Sequence, residues 1–155
     1  MTAGAGQLIY GTCVALGPVA ALLKGPSGSG KSDLALRCLA QGASPLLPGA
    51  VRLVADDWVR VVRAGGTLRA EAPEAILGKL EVRGMGIVAV EYAGPAEVAL
   101  IVEISPAADI ERLPDETVRV ELLNHPLPLL RVAAFEPSAA VKVLLALARA
   151  ASQTN

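Results

Sequence analysis

At 155 residues and a net charge of −1, the chain can form one domain with a sizeable core. It lacks the basic excess of a nucleic-acid binder or a polybasic membrane contact. Hydrophobic residues reach 53% but aromatics only 3%, so the core must be built from Ala, Val, Leu and Ile, as suits an α/β protein with buried strands.

Residues 1–23 carry no charge, yet Gly11, Gly17 and Pro18 break the run well short of the ~20 apolar residues of a spanning helix. The basic n-region of a secretory signal is not found either. Two strands, Leu8 to Leu16 and Val19 to Lys24, account for the segment, and the apolar surplus points to a subunit interface. Next comes Gly25-Pro-Ser-Gly-Ser-Gly-Lys31-Ser32, then a helix over Asp33 to Gln41, closed by Gly42 as a left-handed cap. Ala43 to Gly49 is a connector. Val51 to Asp57 is a strand ending in two acids, and Trp58 to Arg63 and Thr67 to Glu71 form a hairpin about Gly65-Gly66. Pro73 to Leu80 reads as a short helix, Leu80 to Gly86 as a glycine-punctuated loop, and Ile87 to Glu91 as a strand. Strands follow at Val98 to Ile104, Thr117 to Leu122 and Leu129 to Ala133. The last element is a helix over Ser138 to Ala150, capped by Ser138, with Val141, Leu144, Leu145 and Ala148 on one face. Cys13 and Cys38 fall in a strand and a helix, as buried thiols of a reduced cytosolic protein, and no spacing suggests a zinc site.

The segment Gly25, Pro26, Ser27, Gly28, Ser29, Gly30, Lys31, Ser32 fits the G-x-x-x-x-G-K-[ST] phosphate-binding loop, with a strand before it and a helix after it. Glycines let successive N–H groups turn toward phosphate oxygens, and the helix N-terminus adds a favourable dipole. Lys31 would bring a charge to the outer phosphates, and the Ser32 hydroxyl would sit on Mg²⁺. Asp56 and Asp57 stand at a strand's C-terminal end, where open α/β sheets bind ligands. Adjacent acids on an extended backbone point apart, so one can support Mg²⁺ while the other serves as general base toward a hydroxyl. No guanine-reading Asn-Lys-x-Asp is present, which sets a GTPase aside. In Leu80-Glu81-Val-Arg83-Gly84-Met-Gly86-Ile87, an acid and a base precede two glycines. That is a candidate active-site loop, with a surface salt-bridged turn as the alternative.

Phosphate loop, Leu53-Val-Ala-Asp-Asp57 and Leu80-Glu-Val-Arg-Gly-Met-Gly-Ile87, in that order, resemble the catalytic domain of HPr kinase/phosphorylase. That family phosphorylates a seryl hydroxyl on the phosphocarrier protein HPr. The resemblance implies a single α/β domain over 1–155, ordered from about 7 to 150, with a mixed sheet and a phosphoenolpyruvate carboxykinase-like P-loop fold. It implies ATP and Mg²⁺ as cofactors, Lys31 as catalytic, Ser32 and Glu81 as metal contacts, and Arg112 near the phosphates. Of the paired acids it implies Asp57 as the base, with Asp56 as the alternative. It further implies an HPr-type partner, a hexameric homo-oligomer and a cytoplasmic location. Tyr10 stands where the family has a histidine, and imidazole's proton shuttling at neutral pH is beyond a phenol. The lone His125 reads as a turn residue. The family's basic Pro/Arg/Gly-rich C-terminal segment is not recognisable in Leu127 to Pro137, and the N-terminal domain of long members is missing. These departures weigh against phosphorylase activity more than kinase activity. A small-molecule kinase and a nucleotide-sensing module without transfer are the rival readings.

Overall fold

The computed structural model describes residues 6–153; the five residues before them and the two after, the chain ends set apart by the sequence, lie outside the described residues. The strands are β1 (Gln7–Tyr10), β2 (Thr12–Leu16), β3 (Val19–Lys24), β4 (Val51–Ala55), β5 (Trp58–Ala64), β6 (Thr67–Glu71), β7 (Lys79–Val82), β8 (Gly86–Ala89), β9 (Ala96–Ile104), β10 (Arg119–Leu122) and β11 (His125–Val132). The helices are α1 (Lys31–Leu39) and α2 (Ala139–Gln153). No helix among the described residues is long and apolar enough to cross a membrane.

A mixed, curled sheet runs in the order β1-β5-β6-β9-β3-β2-β4, with β11 added to β9 and β10 to β11. β9 lies parallel to both its neighbours β3 and β11, whereas β2 lies antiparallel to both β3 and β4. The curl has a local cause. The single strand expected over Leu8 to Leu16 is broken at Gly11, and its halves join opposite ends of the sheet, β1 on β5 and β2 on β4. Opposite Gly11, the chain breaks again at Asp56-Asp57 between β4 and β5. The Gly11 N–H donates to the Asp57 carbonyl at 2.9 Å, so both ends of the sheet meet at one corner. A side chain at Gly11 would press its Cβ to 2.8 Å from the Leu23 carbonyl oxygen, which leaves glycine as the residue that fits.

Alternation along the strands divides the core in two. Val14, Leu16, Ala21 and Leu23 face outward onto α1 and α2, while Cys13, Ala15, Ala20 and Leu22 face into the curl against Val54, Val59, Val61 and Leu68. In β9 the pairing with β3 steps from Val98 to Leu100, so Ala99 is an extra residue. Cys13 and Cys38 are buried as expected, and burial pushes both thiols up, that of Cys38 to about 12, with Arg37 opposing the rise.

Four further expectations need correction. Gly42 is not among the left-handed glycines, and α1 ends at Ala40, whose N–H reaches the Leu36 carbonyl. Pro73 to Leu80 gives a single 3₁₀ turn at Glu74–Ile76, after which Lys79 already starts β7. The glycine-punctuated loop is a hairpin: β7 and β8 pair from Lys79↔Ala89 to Val82↔Gly86, and only Arg83–Met85 turn. The face of α2 is rotated. Ala140, Val143, Leu144, Leu147 and Ala150 are buried, and Leu145 is exposed. The helix is apolar nearly all round, so its own periodicity does not choose a face; α1 and the sheet do. His125 opens β11, beside a turn carried by Leu123 and Asn124 at positive φ.

Candidate active site

β3 delivers the chain into the glycine-rich loop, which turns on Gly28 (φ 80°) and Gly30 (φ 102°) and enters α1 at Lys31. Gly30 is the N-cap and has no side chain to bond the first-turn N–H groups, so α1 presents an uncapped N-terminus at the loop. The Ser29 hydroxyl is buried without a partner among the described residues. Lys31 is only 4% exposed, and no ion pair among the described residues includes it. Its Nζ donates to the Gly25 and Pro26 carbonyls at 2.8 and 3.0 Å and lies 4.4 Å from the centre of the Tyr10 ring. A buried ammonium whose direct contacts are all neutral has no ion-pair partner to hold its charge. Uncapped helix and unpaired lysine together fit an anionic guest of phosphate type.

The corner of the curled sheet brings the acids to this loop. Asp56 is buried and is held from three elements. Its Oδ1 accepts from the Ser32 hydroxyl of α1 at 2.7 Å and from the Thr12 hydroxyl of β2 at 2.9 Å. Its Oδ2 accepts from the Glu81 N–H of β7 at 3.1 Å. Asp57 turns into the cleft, not by strand alternation but because its backbone is left-handed at φ 65°, a conformation aspartate tolerates better than most. Partial burial, then the charges of Asp56 and Glu81, push its carboxyl above the usual range, against a smaller opposing pull from Lys31.

A cleft of about 390 Å³ runs over the loop, lined by Tyr10, the loop residues Ser27, Gly28 and Gly30, Lys31, Ser32, Asp57, Glu81, Arg83 and Phe135 among others. Asp57 and Glu81 thus share one cavity with Lys31 and Ser32, while Asp56 lies beneath them. Arg112 is not brought there: it is exposed in the segment after β9 and does not line the cleft. No three His, Cys, Asp or Glu side chains among the described residues converge on a point that could hold a metal. Mg²⁺ does not demand such a cage; it takes one or two protein oxygens, waters and substrate phosphates. Ser32, with Asp56 bonded to its hydroxyl and Glu81 beside it, fits that pattern.

Two residues of the site went unnoticed in the sequence. Thr12 ties both acids, bonding Asp56 and accepting the Asp57 N–H at 3.4 Å. Its one signal is a hydroxyl inside an otherwise apolar run. Phe135 closes the cleft beside Gly30, and its signal is the scarcity of aromatics. Tyr10 was noticed for the histidine it replaces. The structure gives it a packing role instead, over Lys31 and edge-on to Trp58 with ring centres 5.4 Å apart.

Comparison with known proteins accords with this geometry. Residues 4–154 match the family model described as the HPr Serine kinase C-terminal domain. The HPr kinase/phosphorylase of Geobacillus kaustophilus is 33% identical over 135 residues, spanning 80% of this chain and 41% of that protein. That of Clostridium novyi is 40% identical over 80 residues, or 52% of this chain and 24% of that protein. The chain therefore spans less than half the length of these curated relatives. In fold it matches the Hpr(Ser) kinase/phosphatase structure from Coxiella burnetii with a TM-score of 0.77 at 17% identity, over 96% of this chain and 99% of that one.

Proposed function

The chain belongs to the HPr serine kinase C-terminal domain family, and from that premise we propose that it transfers the γ-phosphoryl group of ATP, with Mg²⁺, to a seryl hydroxyl of an HPr-type phosphocarrier. One observation carries the reading: Asp56 bonds Ser32 at 2.7 Å while the next residue, Asp57, faces the cavity that holds Lys31. One acid is committed to the metal-side serine, and the other is free to take a proton.

The glycine-rich loop acts as a phosphate loop in a phosphoenolpyruvate carboxykinase-like fold, and Lys31 exchanges the Gly25 and Pro26 carbonyls for the outer phosphates. Mg²⁺ at Ser32 and Glu81 would neutralise charge on the β- and γ-oxygens. Asp57 accepts the seryl proton as the serine oxygen bonds to the γ-phosphorus and the bond to the ADP oxygen breaks. A base with a raised pKa suits this task near neutral pH. Arg112 stays in the same proposal only by family resemblance, as a residue near the phosphates that this structure leaves outside the cleft. A cytoplasmic homo-oligomer, hexameric by family resemblance, completes the reading, with the single domain spanning 1–155.

The rival with an observation of its own is a nucleotide sensor, since Tyr10 and two carbonyls already hold Lys31 in place. The two separate on incubation with γ-labelled ATP, Mg²⁺ and HPr. Label on a carrier serine, absent with Lys31→Ala, supports the kinase. Nucleotide bound with no label transferred supports the sensor.

A further inference from the structure

The chain has four aromatic residues; two of them, Tyr10 and Phe135, line the cleft, and a third, Trp58, packs on Tyr10. Two explain each other: Tyr10 is occupied by the Lys31 ammonium on one side and the Trp58 ring on another. Phe135 has no such employment, being 71% exposed at the cleft wall. A large apolar ring in water is unremarkable on a loose loop, but this segment is pinned on both sides of it. The Arg37 guanidinium of α1 donates to the Ala134 carbonyl and, at 3.2 Å, to the Glu136 carbonyl. The Glu136 carboxylate in turn pairs with Lys142 of α2 at 2.9 Å, and the Ser105 N–H holds the Val132 carbonyl at 2.9 Å.

The ring's tip is also fitted to the loop. A Cβ at Gly30 would lie 2.8 Å from Phe135 Cζ and 3.3 Å from Cε1, so Gly30 is required by its φ of 102° and by the ring beside it. These contacts fix Phe135 against the exit of the phosphate loop, with most of its surface left open. Asp57, Tyr10 and Phe135 line the same cleft, Phe135 at Gly30. An inorganic phosphate chain gains nothing from an apolar wall there. A planar, apolar-faced group attached to the phosphates does.

We propose that Phe135 is a stacking platform for the base of the nucleotide bound at the phosphate loop. The inference rests on the phosphate-loop reading above and adds to it the part of the ligand that the loop itself cannot read.

The test is calorimetric binding of Mg·ATP and of Mg·tripolyphosphate to the full chain and to its Phe135→Ala and Phe135→Trp variants. Phe135 is exposed, so neither change touches the core. Phe135→Ala is expected to weaken ATP about tenfold, the usual order for one base–aromatic stack, with tripolyphosphate unchanged and Phe135→Trp binding ATP at least as well as wild type. Unchanged ATP affinity in Phe135→Ala, or equal weakening of both ligands, would overturn it, the latter making Phe135 a prop for the loop. Wild-type protein that binds tripolyphosphate as tightly as ATP would sink the platform and leave the phosphate loop standing. Wild-type protein that binds neither would overturn both.

Discussion

Replacing Thr12 by Val keeps the β-branched shape at a fully buried position in β2 and removes one hydroxyl. That hydroxyl donates to Asp56 at 2.9 Å and receives the Asp57 N–H at 3.4 Å. A hydrogen bond to a charged group contributes about 1.5–3 kcal/mol, and the longer contact little. Asp56 keeps its bonds from Ser32 and Glu81, so the loss stays at the scale of one charged hydrogen bond. Thr12→Ser is the counter-experiment: it keeps the hydroxyl and deletes a methyl group, costing about 1 kcal/mol. Urea denaturation should therefore rank the proteins wild type, Thr12→Ser, Thr12→Val in falling stability. In thermal melts Thr12→Val should drop by roughly 3–12 °C, at about 2–4 °C per kcal/mol for a chain of this size. A Thr12→Val protein as stable as Thr12→Ser, or more so, would refute the claim that this hydroxyl holds the acid pair.

Asp57→Asn should stabilise the fold at neutral pH, because a carboxyl with a raised folded-state pKa loses stability as pH rises through that value. Below the ordinary carboxylate range both forms of Asp57 are protonated, and melting curves of variant and wild type should converge; a gain persisting in acid would contradict the assignment. Trp58, the chain's one tryptophan, should change its emission when Mg·ATP draws Lys31 away from Tyr10. Tyr10→Leu should blunt that response, and an unaltered response would show that the three groups are not coupled. Glu81→Gln should raise the Mg²⁺ concentration needed for half-maximal transfer by about tenfold, read in a metal titration at fixed ATP. An unchanged requirement would place Glu81 outside the metal's reach.

The loop and its acids are legible in the sequence because their chemistry is local. Glycines at fixed offsets, Lys31-Ser32, and acids at a strand's end carry their meaning wherever the strands go. The corner was not legible. Gly11 reads as one glycine in a strand, and only the pairing of Tyr10 with Trp58 and of Cys13 with Ala55 shows that it splits the strand across the sheet. The β7–β8 hairpin was hidden because the same glycines that suggest a loop permit the tight turn at Arg83–Met85, while the pairing that makes strands is non-local. In α2 the rows Val141-Leu144-Leu145-Ala148 and Ala140-Val143-Leu144-Leu147 both satisfy helical spacing, and α1 decides between them. Thr12 and Phe135 matter through what lies opposite them, which no window of sequence contains.

The central claim is that Asp57 takes a seryl proton while Lys31 and Ser32 hold the donor. Single-turnover transfer from Mg·ATP to HPr should be followed from acidic to neutral pH in wild type and Asp57→Asn. The account predicts a wild-type rate that climbs with pH through a limb above the ordinary carboxylate range. In Asp57→Asn that limb should vanish and the rate fall by about 10²-fold or more, with ATP affinity retained. A variant that transfers at the wild-type rate with the same limb would contradict it.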